Sequence, residues 1–421
     1  MHFFEQLKRG GQPRVDYPFV EPARGWRDRL LGGYLKLFNK RLRPMKPLAL
    51  ASGLPVYDLT QPPLGSEAGA RVLRTGFDYV VRKKPARPIN MVVMLHSKCN
   101  MRCDHCSARN YMGPGRRSMS YEVLRDLFDQ FLDMNGASLV LSGGEPTLHP
   151  RLLDLVAGVD KSKTSVSMFT NGARVAELAP ELRDAGLFGT LVSLDSDRAE
   201  VHDARRNKPG AFAEAMGAIE ALEANQMLVG ISTYISHFGM QKGSFYDMLA
   251  LGERLGVQQL FVFDAVPTGA LMHKEDWVLS RQEREELKEM IKRQNANPEG
   301  PAIMGQSWVN SPEGFGCFAG FYQLYVTAAG DVCPCDFTPI SFGNIHDEPL
   351  QTIWDRMRSS PEWGVRHHEC RMQDGCFRAR TIDLIPPGTP WPVPYDELVE
   401  LQRAHDAQQH RCACGGSTPP A

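Results

Sequence analysis

The feature that most constrains this chain is an alternation that begins near residue 89 and runs unbroken to about residue 294. Short apolar, strand-like runs alternate with amphipathic helical segments: 89–95 with 121–134, 138–141 with 152–159, 165–170 with 176–185, 189–193 with 211–224, 227–235 with 246–255, and 259–265 with 281–294. Apolar residues at helical spacing in the longer segments set them apart from the strand-like runs. Six strand-then-helix units in succession imply an α/β fold built on a parallel sheet with right-handed crossovers. Ligands in such folds gather at the carboxyl ends of the strands.

Those ends carry the residues capable of chemistry. Directly after the first run stand Cys99, Cys103 and Cys106, spaced C-x-x-x-C-x-x-C. Three thiolates from one loop can meet one face of an iron–sulfur cluster and leave one iron open to a small molecule. A zinc knuckle is the competing reading, with His96 or His105 as its fourth ligand. The second strand runs into Gly143-Gly144-Glu145-Pro146. Glycines let a backbone approach a ligand closely, and a carboxylate pairs with an ammonium. Asn171 follows the third strand, and Ser193 and Asp195 follow the fourth. His202, Asp203, Arg206, Gly210 and Phe212 come next.

In this order and spacing, these segments resemble the radical S-adenosylmethionine (radical SAM) superfamily. The resemblance implies a partial (β/α)6 TIM-like barrel rather than a closed eight-unit one, with a [4Fe-4S] cluster on the trio. It places Gly143, Gly144 and Glu145 at the amino group of SAM. It places Ser193 and Asp195 near the ribose and methionyl parts, and Arg206 at the carboxylate, with Asn171 also in the cofactor site. Relatives usually carry an aromatic residue near the adenine, just before the third cysteine. Here that position is His105.

The last third holds Cys317, Cys333, Cys335, Cys370, Cys376, Cys412 and Cys414. Residues 322–326 read as a strand, 328–331 as a turn, and 332 onward as the returning strand. This pattern, with Trp354 on a helix before Cys370, resembles the SPASM and Twitch auxiliary-cluster domains. The resemblance implies a second, auxiliary [4Fe-4S] cluster on Cys317, Cys335, Cys370 and Cys376. Cys333, Cys412 and Cys414 are left to complete or replace a ligand, and the last two are expected in a tail. His367 and Arg380 stand where two further cysteines are expected. Structural zinc is the alternative for this region. Asp336 occupies the position of a proton-accepting aspartate in sulfatase-maturing relatives; a simple turn cap is the other reading.

Between residues 24 and 46 there are eight Lys or Arg and one acid, Asp28. Trp26, Leu30, Tyr34, Leu37 and Phe38 fall at helical spacing. Such a helix packs on the protein's own barrel or lies on an anionic membrane surface. Residues 48–70 read as a wandering loop, and residues 1–88 as standing outside the core. The divisions are thus 1–88, 89–300 for the barrel, 301–385 for the auxiliary domain, and 386–421 as a tail.

With 48 basic and 49 acidic residues, no global field favours nucleic acid. No apolar run reaches the ~18 residues of a membrane span, and the start lacks the apolar core of a secretory signal. The clustered cysteines then fit metal ligation in a reducing cytoplasm better than disulfides. The expected activity is reductive cleavage of SAM and hydrogen abstraction from a peptide or protein side chain. The electron comes from a donor such as flavodoxin or ferredoxin. A sugar or lipid-linked small molecule is the alternative substrate. An iron–sulfur or zinc protein of electron transfer or binding, without SAM chemistry, is the alternative of another class. The Gly-Gly-Glu and Ser-x-Asp segments argue against that last reading.

Overall fold

The computed structural model describes residues 4–5, 26–112 and 118–414, with side chains from 30 to 407. Six parallel strands lie side by side in chain order: β1 (Asn90–Met94), β2 (Ser138–Ser142), β3 (Ser165–Thr170), β4 (Gly189–Ser193), β5 (Leu228–Ile235) and β6 (Gln259–Asp264). Each is followed by helix, as the alternation requires. The helix after β1, Tyr121–Asp133, is capped by Ser120, which accepts from the Val123 N–H. It buries Leu124, Leu127, Phe128 and Phe131 in the main core against Leu139 and Leu141 of β2. The helix after β6, Arg281–Ala296, starts at a capping box between Ser280 and Glu283.

The sheet does not stop at six strands. Ala302–Gly305 (β7) adds in parallel to β6, and Gln323–Val326 (β8) adds in parallel to β1. Val332–Cys333 (β9) returns antiparallel on β8, giving the order β7-β6-β5-β4-β3-β2-β1-β8-β9. The barrel is therefore open. The hairpin expected around 322–335 forms, with Thr327 and Asp331 joined across its turn. It extends the barrel's own sheet, so a boundary at residue 300 cuts through one sheet.

The amino-terminal region departs most from expectation. Phe4–Glu5, Ala49–Ala51 and Leu54–Val56 form a small antiparallel sheet, and Glu67–Val80 is a helix where part of a loop was expected. The chain between them closes the amino end of the barrel. The Leu59 N–H donates to Gln259 Oε1 at 2.9 Å, the Leu59 carbonyl accepts from Ser167, and the Thr60 carbonyl accepts from Ser138. Leu59 is fully buried with Val56, Leu191, Leu228 and Ala302. Glycine in β4 makes room for it: a Cβ on Gly189 would lie 3.0 Å from the Leu59 carbonyl oxygen. Residues 48–60 thus belong to the core, because the open barrel exposes an apolar end that something must cover.

The basic helix forms over Trp26–Leu42 and packs on the protein itself. Tyr34 and Leu35 are buried, whereas Leu30 and Leu37 of the expected apolar face stay more than two-fifths exposed. Tyr34 crosses the helix Glu67–Val80 at Gly76, where an added Cβ would meet its hydroxyl at 2.1 Å. Trp26 lies outside the described side chains. At the other end, Tyr395–Cys414 is a helix rather than a loose tail. Tyr395 stacks on Phe342 at 4.5 Å and donates to Glu362. The side chains of Cys412 and Cys414 lie outside the described residues. Among those described, no helix is long and apolar enough to cross a membrane.

If Leu59 plugs the barrel, Leu59→Ala should lower stability by about 2–5 kcal/mol. The expected reading is a lower urea midpoint with an unchanged slope.

Candidate active site

At the carboxyl ends of β1 to β6 a cavity of about 290 Å³ is lined by Cys99, Cys103, Cys106, His105, Gly143, Gly144, Glu145, Asn171, Ser193, Asp195 and Arg206. All site residues expected in the barrel therefore meet in one place. The cysteine loop is held from β2. The Gly144 N–H donates to the His96 carbonyl and the Glu145 N–H to the Lys98 carbonyl, both at 2.9 Å. A Cβ on Gly144 would lie 2.0 Å from the Lys98 oxygen, so only glycine lets the two loops touch. Burial, and then the neighbouring thiols, pushes Cys106 up to about 11. Burial likewise raises Cys99 and Cys103.

Glu145 is tied into the protein as well as lining the cavity. Its carboxylate is buried, accepting from the Thr147 N–H at 3.1 Å, the Thr147 and Thr170 hydroxyls at 2.7 Å, and the Asn171 N–H at 2.7 Å. Three of these donors reach Oε1 and one reaches Oε2, so the side chain fastens the loops after β2 and β3 to each other. Asn171 carries the tie onward, donating to Asn100 Oδ1 at 2.8 Å beside Cys99.

Arg206 and Asp195 also hold each other. Arg206 Nε and Nη2 meet Asp195 Oδ2 and Oδ1 at 2.8 and 2.9 Å, a bidentate pair almost wholly buried. Burial alone would raise Asp195, yet Arg206, His105 and His202 hold it down to about 2. Arg206 Nη1 lies 3.7 Å from Cys103 Sγ. Arg206 and Asp195 are thus paired through Nε and Nη2, and Nη1 is directed to the cysteine loop. The Asp195 N–H donates to His202 Nδ1 at 3.1 Å. His105 is stacked on Tyr234, with ring centroids 4.1 Å apart and planes at 25°. Tyr234 was missed in the sequence. It shares a strand face with Ser232 at the carboxyl end of β5, a position where a polar aromatic residue signals a site.

A second cavity, of about 270 Å³, holds Cys317, Cys335 and Cys370. Burial raises all three thiols, Cys335 to about 12, and Cys335 and Cys370 are raised further by the neighbouring thiols. Cys376 does not join them: it is exposed on the helix Gly375–Ala379, whose first turn is capped by Asp374. Cys333, the second residue of β9, is core, packed among Met94, Tyr111, Tyr325 and Trp391. The two cavities share a wall that includes Asn90, Phe261, Phe263, Gln323, Asp336 and Phe337. Burial pushes Asp336 up to about 6. A chain of amides positions it, Asn90 donating to Gln323 at 3.2 Å and Gln323 to Asp336 Oδ1 at 3.5 Å. Asp336 therefore faces a chamber rather than capping a turn.

Residues 93–252 match the radical SAM superfamily, and residues 317–377 match the SPASM iron–sulfur cluster-binding domain. The chain belongs to the radical SAM superfamily. It is a radical SAM enzyme with a carboxyl-terminal SPASM domain. An AdoMet-dependent heme synthase of Nitratidesulfovibrio vulgaris is 27% identical over 317 residues, covering 68% of this chain and 86% of that one. The mycofactocin maturase MftC of Mycobacterium tuberculosis is 26% identical over 332 residues, covering 72% and 82%. In fold, the chain is similar to Streptococcus suis SuiB bound to its precursor peptide SuiA. That likeness has a TM-score of 0.52 at 12% identity, over 70% of this chain and 71% of that one. The radical SAM barrel and the SPASM hairpin thus share a sheet, with Cys99, Cys103 and Cys106 lining one cavity and Cys317, Cys335 and Cys370 the other.

The SPASM site separates its cysteines by experiment. Cys370→Ala should lose the iron of that site, whereas Cys376→Ala should keep it, as measured by iron content and cluster absorbance. His202 gives a pH prediction. Burial pushes its imidazole down to about 4, against the pull of Asp195. An unfolded histidine takes up its proton near 6.5. Stability should therefore fall as pH drops from about 6.5 toward 4, and His202→Gln should flatten that slope in urea midpoints.

Proposed function

We propose that this radical SAM enzyme oxidises a substrate held between its two thiol sets. The observation that carries the reading is the shared wall, where Asp336 and Phe337 border both the barrel cavity and the SPASM cavity. Cys99, Cys103 and Cys106 suit three corners of a four-iron cluster. They converge, they stay protonated without a cation, and Gly144 holds their loop against the cavity. When bound there, the [4Fe-4S] cluster supplies the electron that cleaves SAM to methionine and a 5′-deoxyadenosyl radical, which takes a hydrogen atom from substrate. A ferredoxin or flavodoxin would provide that electron.

The chain's own residues do the rest. Gly143 and Gly144 leave the backbone open to the SAM amino group, Glu145 and Asn171 fix that backbone, and Ser193 lies where the ribose would sit. Arg206 neutralises Asp195 and braces Cys103, which positions the loop. His105 stacked on Tyr234 offers a flat surface for the adenine. After one hydrogen atom has gone, net two-electron oxidation requires one more electron and one proton to leave the substrate. An auxiliary iron–sulfur cluster held by Cys317, Cys335 and Cys370 would supply the acceptor for that electron. The proton passes to Asp336, whose Oδ1 is held by Gln323 and whose pKa near 6 leaves it ready to accept at neutral pH.

Anaerobic reconstitution tests the reading. With SAM and dithionite the protein should release 5′-deoxyadenosine, and Cys99→Ala, Cys103→Ala or Cys106→Ala should abolish it. No deoxyadenosine from the unaltered protein would overturn the proposal. Asp336→Asn should raise the ratio of deoxyadenosine to oxidised product at least ~tenfold, since a positioned base contributes about 10²–10⁴ in rate.

A further inference from the structure

The basic helix Trp26–Leu42 has no part in the chemistry at the strand ends, yet one of its cations enters the second cavity. Arg41, from that helix, and Arg366, from the segment leading to Cys370, both line it and are both half-buried. Arg366 donates to the Phe315 carbonyl. Arg41 makes no ion pair among the described residues. Burial lowers its pKa and the nearby Arg366 lowers it further, and the two guanidiniums share this part of the cavity with the Tyr34 and Tyr322 hydroxyls and no carboxylate. Two like charges in a partly dry site are unfavourable unless a negative group joins them. The cavity's own carboxylates do not fill that place. Asp58 accepts from Thr60 and Gln259, and Asp336 stands on the wall shared with the barrel cavity. The lining mixes apolar side chains, Phe38, Leu42, Met45 and Phe315 among them, with the hydroxyls and amides of Tyr34, Tyr322, Gln61 and Gln306, and the exposed Leu37 also borders it.

We propose that Arg41 and Arg366 together bind the anionic group of an amphipathic substrate whose apolar body lies along the Phe38, Leu42, Met45 and Phe315 side of this cavity, beside the three cysteines, and reaches Asp336. The inference names a substrate class and rests on the reading of the chamber given above. A planar guanidinium pair suits an oxyanion such as a carboxylate or phosphate, held bidentately. That apolar side suits a hydrocarbon or flat ring body better than an extended polar chain.

Calorimetric titration of the reconstituted holoenzyme with dodecanoate, dodecyl phosphate and dodecylamine tests this. The two anions should bind and the amine should bind at least ~tenfold more weakly. The stronger of the two anions identifies the head group as carboxylate or phosphate. Arg41→Gln and Arg366→Gln should each weaken anion binding about ten- to hundredfold, the range for losing a charge-assisted hydrogen bond. Arg41→Lys should restore part of the affinity, which a misfolded variant would not. Lys36→Gln and Lys40→Gln, altered at exposed positions of the same helix, should bind as the unaltered protein does. Equal binding of the amine, or equal losses from the lysine and arginine variants, would overturn the inference in favour of a diffuse basic surface. Deoxyadenosine release by the same holoenzyme is scored separately. Release without anion binding overturns only this inference, and absence of release overturns the reading beneath it.

Discussion

The barrel site depends on one buried carboxylate. Glu145 receives hydrogen bonds from the loop after β2 and from both Thr170 and Asn171 at the end of β3, while its own N–H reaches the Lys98 carbonyl just before Cys99. Three strand ends are thereby locked into one frame. A buried carboxylate is costly when its acceptors lack donors, and here each is satisfied. Loss of any donor would leave charge in an apolar setting, so the loops have little freedom to drift apart. The cysteine loop inherits its rigidity from a side chain that touches no sulfur.

The same economy of position governs the electrostatics. Asp195 and Arg206 neutralise each other behind Cys103, and His202 accepts from the backbone of that pair in its neutral form. This leaves the cavity wall formed by the thiols with a nearby cation that is already compensated. A set of thiolates bound to iron gains a charge partner without a free cation competing for substrate. Asp336, on the wall shared with the second cavity, is instead held high in proton affinity by burial.

Much of this was legible in the sequence for definite reasons. The six units declare themselves because each helix shows a one-sided apolar stripe and each strand an apolar run, and the motifs fall just past the strands where the fold gathers ligands. What was not legible depended on contacts between distant segments. The ties of Glu145 to Thr147, Thr170 and Asn171 have no signature in the motif itself. Nor does the pairing of Arg206 with Asp195, eleven residues apart in the chain. Leu59 sits in a stretch of prolines and glycines with no period at all, and its place in the barrel follows only from the space that Gly189 leaves. Cys376 shares a spacing pattern with Cys370 but lies on the outer side of a short helix. Pattern reports local structure, whereas side-chain engagement is decided across the sheet.

The hairpin that joins the sheet beside β1 has a consequence for the whole enzyme. β8 is hydrogen-bonded to the very strand whose end carries the first cysteine loop, with Val326 opposite Val93. Its return strand leads within two residues to Cys335. The separation between the two sulfur sets is therefore metered by a backbone ladder rather than by a linker. A ladder neither stretches nor hinges appreciably, so the distance from the first cysteine loop to Cys335 is fixed at folding. Substrates of different size must be accommodated by side chains and by the amino-terminal cover. The two sets of thiols cannot move apart to admit them.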